Sequence, residues 1–148
     1  MQQERNLVKM RKKRLKLGDI YEISLPNGMN AYGRLYKEST LAIYEKICSN
    51  VYELSQNEKY KFFVGVYTDL LQDGIWKIVD NRPFSTDEDA WPPPQSIKDC
   101  ISGGYSLYIK GEIIPSTEEV CKDLERAAAW DRHHVVDRIM GIDIWNPD

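Results

Sequence analysis

The sequence predicts an α+β domain that is mostly β, in which a curved antiparallel sheet or a small barrel carries short C-terminal helices. Three observations lead to this prediction. Apolar and polar residues alternate in short runs between residues 19 and 79, which is the period of half-buried strands. Asn27-Gly28 separates the first two runs, and Asn-Gly is the strongest short signal of a hairpin. After residue 116 the apolar spacing becomes helical, and strands followed by helices are typical of α+β domains.

Seven runs are expected to form strands: 19–25, 30–37, 41–47, 62–67, 75–79, 105–109 and 113–114. The first two are predicted to pair across a type I′ turn at Asn27-Gly28, because both of these residues tolerate positive φ. This turn would place Leu25 opposite Asn30. The turn to the last strand is expected at residues 110–112.

Residues 62–67 are apolar throughout, which favours a central strand that is buried on both faces. Gly65 in its middle indicates a bulge or a close approach by a large neighbour. Residues 80–104 are rich in turn-forming residues and are expected to form a loop.

The C-terminal part carries two helix signals. Ser116 and Glu119 fit a capping box at the start of a first helix, and Asp131 fits the cap of a second helix that ends at Gly141. Residues 125–130 fit either a continuation of the first helix or a strand.

Length and composition fit one globular domain of 148 residues with a single core. No apolar stretch approaches the roughly 20 residues that cross a bilayer, and the N-terminus does not read as a secretory signal. Three widely spaced cysteines suit a reducing compartment better than a disulfide framework. We therefore expect a cytoplasmic protein without a membrane partner, and the oligomeric state is open.

Charge is distributed unevenly along the chain. Residues 1–16 hold seven Lys/Arg and one Glu, a balance of +6, whereas the other 132 residues hold 13 basic and 22 acidic groups, a balance of −9. We expect residues 1–17 to be a basic, partly disordered extension and residues 18–148 to be one domain. The basic arm allows a nucleic-acid-associated regulatory function as an alternative, although the acidic body would repel a polyanion.

The motifs of common enzyme classes do not occur in this sequence: GxSxG, the P-loop, GxGxxG, HExxH and paired CxxC. The two histidines, His133 and His134, are adjacent and have only Asp131 or Asp137 beside them, which is too few ligands for zinc. A cysteine nucleophile is disfavoured, because buried free cysteine is the commoner role. We therefore predict no enzyme activity, no metal and no cofactor.

The candidate partner-binding residues are Asp87, Glu88, Asp89 and Trp91, which we call the acidic loop. Three prolines follow at residues 92–94 and restrict the unbound loop. A tryptophan in such a loop is either folded back as a plug or exposed as an anchor, and tryptophan is a frequent interface hot spot.

Six short segments, in their order and spacing, resemble the immunity protein 26 family of bacterial polymorphic toxin systems: 18–25 (GDIYEISL), 32–35 (YGRL), 63–66 (FVGV), 74–78 (GIWKI), 125–131 (ERAAAWD) and 134–139 (HVVDRI). Ser24 stands where that family has a proline, and the acidic loop and residues 41–57 lie outside the resemblance.

The resemblance implies a mostly β immunity protein that binds and blocks a cognate toxin domain and has no catalytic residues. It further implies core positions for Trp76 and Trp130 and a polar network of Glu125, Asp131 and Arg138. An acidic body agrees with a basic toxin such as a nuclease. An uncharacterised enzyme is the third hypothesis.

Overall fold

The computed structural model describes residues 14–142, which form two antiparallel sheets and three short helices. The elements in chain order are β1 (Asp19–Ser24), β2 (Asn30–Tyr36), β3 (Thr40–Tyr44), β4 (Tyr60–Gly65), α1 (Thr68–Gln72), β5 (Lys77–Asn81), β6 (Gln95–Lys98), β7 (Tyr105–Ile109), β8 (Glu112–Ser116), α2 (Glu118–Cys121) and α3 (Arg132–Ile139). The large sheet has the order β4-β3-β2-β1-β5 and the small sheet the order β6-β7-β8. The mostly β α+β class is confirmed. The small-barrel alternative is wrong, because the described strands form two open sheets.

The hydrophobic core lies on both faces of the large sheet, and every residue of β3 is buried. The main cluster packs β1–β4 against α1 and α3, for example through Leu71, Val135 and Ile139. A smaller cluster on the other face includes Tyr32 and Leu54. Among residues 14–142, no helix is long and apolar enough to span a membrane.

The first hairpin differs from its prediction by one residue. Ser24, not Leu25, pairs with Asn30, and Leu25 exchanges hydrogen bonds with Met29 and Gly28 at 2.9 and 3.1 Å. The reason is the proline in the turn. A type I′ turn at Asn27-Gly28 would require an N–H from residue 26, which proline lacks. The chain instead makes a three-residue loop that ends on Gly28 at φ +85°, the arrangement of a turn with a G1 bulge.

The prediction that residues 62–67 form a central strand is wrong, because β4 lies at an edge of the large sheet. β4 has β3 as its neighbour on one side only, and its aromatic side chains are covered by side chains of other elements. The ring of Phe63 packs edge-on against that of Tyr36, at a centroid distance of 5.0 Å. The guanidinium of Arg138 lies 4.0 Å from the ring centroid of Phe62. An apolar run can therefore occupy an edge when other side chains cover it.

Residues 125–130, which we call the strap, form neither a helix nor a named strand. They run extended between the two sheets and make one isolated parallel bridge to each. At one end Ser96 of β6 donates to the carbonyl of Glu125 and accepts from the N–H of Ala127, both at 2.8 Å. At the other end the N–H of Trp130 donates to the carbonyl of Gly65 at 2.8 Å. The strap therefore joins the two sheets.

Gly65 lies against the strap backbone. A Cβ atom added to Gly65 would stand 2.6 Å from the carbonyl oxygen of Ala128. The predicted close approach is confirmed, and the group that approaches is a backbone carbonyl rather than a large side chain.

A bidentate ion pair holds the strap to α3. Arg138 donates to both carboxylate oxygens of Glu125 at 2.7 and 2.8 Å, and its guanidinium lies 5.1 Å from the ring centroid of Trp130. This pair agrees with the network that the resemblance implies. Asp131 has a different role, since its carbonyl accepts from Val135 as α3 begins. Trp76 is buried, and Trp130 packs half-buried against the core.

Two further expectations need correction. The N-cap of α2 is Thr117, whose hydroxyl accepts from the N–H of Val120 at 3.2 Å, whereas Ser116 ends β8. Within the expected loop 80–104, Gln95–Lys98 forms β6, because a four-residue run with one apolar residue carries no readable period. The second helix begins after Asp131 as predicted.

Most of the predicted basic extension, residues 1–13, lies outside the described residues. Arg14–Leu17 belong to no helix or strand. Leu15 nevertheless packs against the main cluster, so contact with the body begins at least three residues before Gly18.

Candidate functional site: a groove between the two sheets

A groove of about 600 Å³ separates the two sheets, and we call it the inter-sheet groove. Its floor is the alanine part of the strap, residues 127–129. Tyr108 and Ile113 of the small sheet form one wall, and residues 65–68 with the β2–β3 turn form the other. Trp91 of the acidic loop stands at the rim. Its volume is that of an ordinary ligand or peptide site.

Two tight turns define the rim. Glu38 and Ser39 adopt φ of 64° and 50° between β2 and β3, and Lys110 and Gly111 adopt 50° and 80° between β7 and β8. The hydroxyl of Tyr108 donates to the Glu38 carboxylate. This hydrogen bond raises the pKa of Tyr108, because ionising the phenol would place two negative charges together. The bond fixes a carboxylate at the mouth of the groove.

The acidic loop lies on this rim and is partly neutralised. Asp87 makes a 2.6 Å ion pair with Lys37, and Glu88 pairs with Lys110. Asp89 is exposed and forms no ion pair with any residue between 14 and 142. Two of the three predicted acids therefore hold the loop to both rim turns, and the third presents its charge to solvent.

Trp91 is half-buried, so it is neither fully folded back as a plug nor fully exposed as an anchor. The Lys37 ammonium stands 4.6 Å from its ring centroid, and the N–H of Lys37 donates to the carbonyl of buried Ala90 at 3.0 Å. A Cβ atom on Gly111 would lie 4.0 Å from the ring. One part of Trp91 is thus packed on the rim turns, and the rest faces the groove.

The small sheet leaves much of its apolar surface uncovered. Every residue of β7 is half-buried, and β8 is exposed up to Pro115. Ile113 is 65% exposed, and Tyr67 on the opposite wall is 52% exposed. Apolar surface gathered at one place, with a polar rim, is typical of interaction sites.

A second cavity of about 550 Å³ lies on the other side of the strap and has a polar lining that includes Lys98, Arg126 and His134. The rings of His133 and His134 are 4.0 Å apart. Within residues 14–142, no group of three or more His, Cys, Asp or Glu side chains is placed to hold a metal ion.

All three cysteines are free, and Cys100 is exposed whereas Cys48 and Cys121 are buried. Burial raises the pKa of the Cys48 thiol, which leaves it protonated and unreactive at neutral pH.

Sequence reasoning named the acidic loop but missed the rest of the groove. Glu38 and Tyr108 are 70 positions apart, and no local pattern pairs them. The run Ala127–Ala129 was a visible signal, because three small side chains leave the backbone accessible. That this run forms the floor of a groove could not be predicted, because the strap is placed by its contacts with both sheets.

Residues 16–107 match the family model described as Immunity protein 26. No curated protein and no solved structure matches the chain. The matched region contains the large sheet, the acidic loop, β6 and part of β7, whereas the segments 125–131 and 134–139 lie beyond it. The match covers more than half of the 148 residues, and the chain therefore belongs to the immunity protein 26 family.

Proposed function

We propose that this protein neutralises a cognate bacterial toxin domain by binding it directly, with the inter-sheet groove and its rim as the contact surface. The observation that carries the proposal is membership of an immunity protein family, whose name implies a toxin as partner. The protein acts as an inhibitor rather than an enzyme. We place it in the cytoplasm of the producing cell, since three free cysteines suit a reducing compartment.

The lining of the groove favours a partner that presents an apolar segment flanked by basic residues. Tyr67, Trp91 and Ile113 supply apolar surface on three sides. Around them the rim holds four carboxylates, Glu38, Asp87, Glu88 and Asp89, against two ammonium groups, Lys37 and Lys110. Buried apolar anchors contribute most of the affinity of such contacts, while the surrounding charges set orientation and association rate.

The charge of the whole body supports a basic toxin. Residues 17–148 carry a balance of −9, which attracts a positively charged partner over a distance of about 10 Å at 0.1 M salt. Nuclease domains bind phosphates and commonly present basic surfaces. We therefore propose a nuclease toxin whose phosphate-binding surface is occluded.

Stopped-flow association with a toxin domain, sought among the genes next to this one, tests the proposal. The variant Asp87→Lys/Glu88→Lys/Asp89→Lys should associate about tenfold or more slowly than the parent at low salt, and the difference should shrink at high salt. Glu45→Lys is the control, and its effect is compared per unit of charge, because it changes the net charge by +2 and the triple variant by +6. Glu45 is an exposed acid beyond the end of β3 that is opposite to the groove. It should change the rate far less.

A folded triple variant that associates as fast as the parent at low salt would remove the acidic loop from the interface. If the parent instead binds duplex DNA or RNA and not the toxin domain, the nucleic-acid-associated alternative replaces this proposal.

A further inference from the structure

The turn between β6 and β7, residues 99–104, presents an apolar side chain to solvent. We call this turn the β6–β7 tip. Ile101 is 97% exposed, the largest value among the exposed large hydrophobic residues described, and its neighbour Cys100 is exposed as well. Single exposed apolar residues are ordinary on protein surfaces, so exposure alone decides nothing.

The second observation is that the tip is closed by hydrogen bonds of its own residues. The Asp99 carboxylate accepts from the N–H of Ile101 at 2.8 Å and from the hydroxyl of Ser102 at 3.0 Å. The backbone of Asp99 donates to Gly104 at 2.9 Å and accepts from Gly103 at 2.8 Å. The hydrogen bonds to its carboxylate lower the pKa of Asp99, so it stays ionised and keeps them. Gly103 has a φ of +77°, which favours glycine.

These contacts fix the direction of Ile101 without using its side chain. The turn uses only the backbone N–H of residue 101, so a polar side chain would satisfy the turn and suit the solvent better. A rigid turn that points an aliphatic side chain outward has already lost the conformational entropy that binding would otherwise remove. This is the arrangement of an anchor residue.

We propose that Ile101 is an anchor that inserts into an apolar pocket of the toxin domain, as a second contact beside the inter-sheet groove. This inference rests on the proposed function. The tip and the Lys110-Gly111 turn lie at opposite ends of β7, a strand of five residues, and are therefore about 17 Å apart. A typical interface covers about 800 Å² on each partner, a patch roughly 28 Å wide, which includes both.

The strand beside β7 leaves apolar side chains open on both faces of the small sheet. Ile113 of β8 pairs with Tyr108, lines the groove and is 65% exposed. Ile114 pairs with Leu107, points to the opposite face and is 43% exposed. A partner that reaches from the groove to the tip would run along this exposed strand, which is why we assign both contacts to the same partner.

The test measures dissociation of the complex with the same toxin domain. Ile101→Ala should raise the dissociation rate roughly tenfold to thirtyfold. Asp99→Ala keeps the isoleucine but removes the carboxylate that closes the tip. Binding should weaken about threefold to tenfold, because the turn would then lose conformational entropy when the complex forms. Tyr52→Ala is the matched control, since Tyr52 is 94% exposed on the turn beside the smaller core cluster and should leave the rate unchanged.

Cys100 gives an independent readout, because it is the exposed cysteine of the three. A maleimide should label it rapidly in the free protein and slowly in the complex. If Ile101→Ala dissociates like the parent, or if Cys100 reacts equally fast in the complex, the anchor is wrong while the complex still supports the proposed function. If the parent forms no complex with the toxin domain, both are wrong.

Discussion

The substitution Gly65→Ala tests the role of the strap in joining the two sheets. Gly65 does not have positive φ, so its backbone accepts alanine without strain. The added Cβ would stand 2.6 Å from the carbonyl oxygen of Ala128, whereas carbon–oxygen contacts are ordinarily about 3.3–3.6 Å. The strap would therefore have to move by roughly 0.7–1 Å.

Such a movement stretches the hydrogen bonds on either side. The bonds from Ala127 to Ser96 and from Trp130 to Gly65 are each 2.8 Å long, and each contributes about 1 kcal/mol net. Overpacking adds about 1–3 kcal/mol, and the reduced entropy of the unfolded chain offsets about 0.4–1 kcal/mol. We expect Gly65→Ala to lower the free energy of unfolding by about 2–3 kcal/mol, and Tm by about 8–12 °C.

Urea denaturation followed by circular dichroism, together with thermal melting, measures this change. Gly104→Ala is the matched control, because its Cβ would meet a side-chain atom, the hydroxyl of Ser102 at 3.3 Å, and no backbone atom. Its free energy of unfolding should stay within about 1 kcal/mol of the parent. A Gly65→Ala variant as stable as the parent would refute the close packing of the strap on β4.

Three further predictions concern the ion pair, the buried tyrosines and the rim. Arg138→Met leaves the half-buried Glu125 without its partner and should lower the free energy of unfolding by about 2 kcal/mol. A variant with the same urea midpoint as the parent would contradict this prediction. Burial, and to a lesser extent Asp19, raises the pKa of Tyr21 to about 12, and burial raises that of Tyr44 to about 12 as well. The contribution of these two tyrosines to stability should be constant below pH 10 and decline from pH 10 to 12, by up to about 1.4 kcal/mol per pH unit for each tyrosine; a urea midpoint at pH 11.5 equal to that at pH 9 would exclude this. Trp91→Ala should weaken toxin binding by about 2 kcal/mol through the dissociation rate, and an unchanged rate would exclude Trp91 as an anchor.

Much of the fold could be predicted because its signals are local. The period-two runs located β1, β2, β3 and β5, a continuous apolar run located β4, and β7 was predicted at residues 105–109 where the structure has it. The start of α3 followed from Asp131. The close approach at Gly65 was visible because a glycine interrupts an apolar run.

The remaining features depend on contacts between distant parts of the chain. The hairpin register shifted because Pro26 lacks the N–H that the simpler turn needs. β6 has one apolar residue and exists through its pairing with β7 and the strap. The strap bonds to both sheets, so neither helical nor strand periodicity describes it. The groove follows from all of these contacts, and the sequence alone could indicate only its acidic rim.

The central claim is that this chain neutralises a toxin by binding it, and isothermal titration of the purified protein into a toxin domain, sought among the genes next to its own, tests this most directly. We expect a one-to-one complex with Kd at or below about 10 nM, which corresponds to roughly −11 kcal/mol, and loss of toxin activity in proportion to the complex formed. Absence of binding at micromolar concentrations, or a complex in which the toxin stays fully active, would contradict the account.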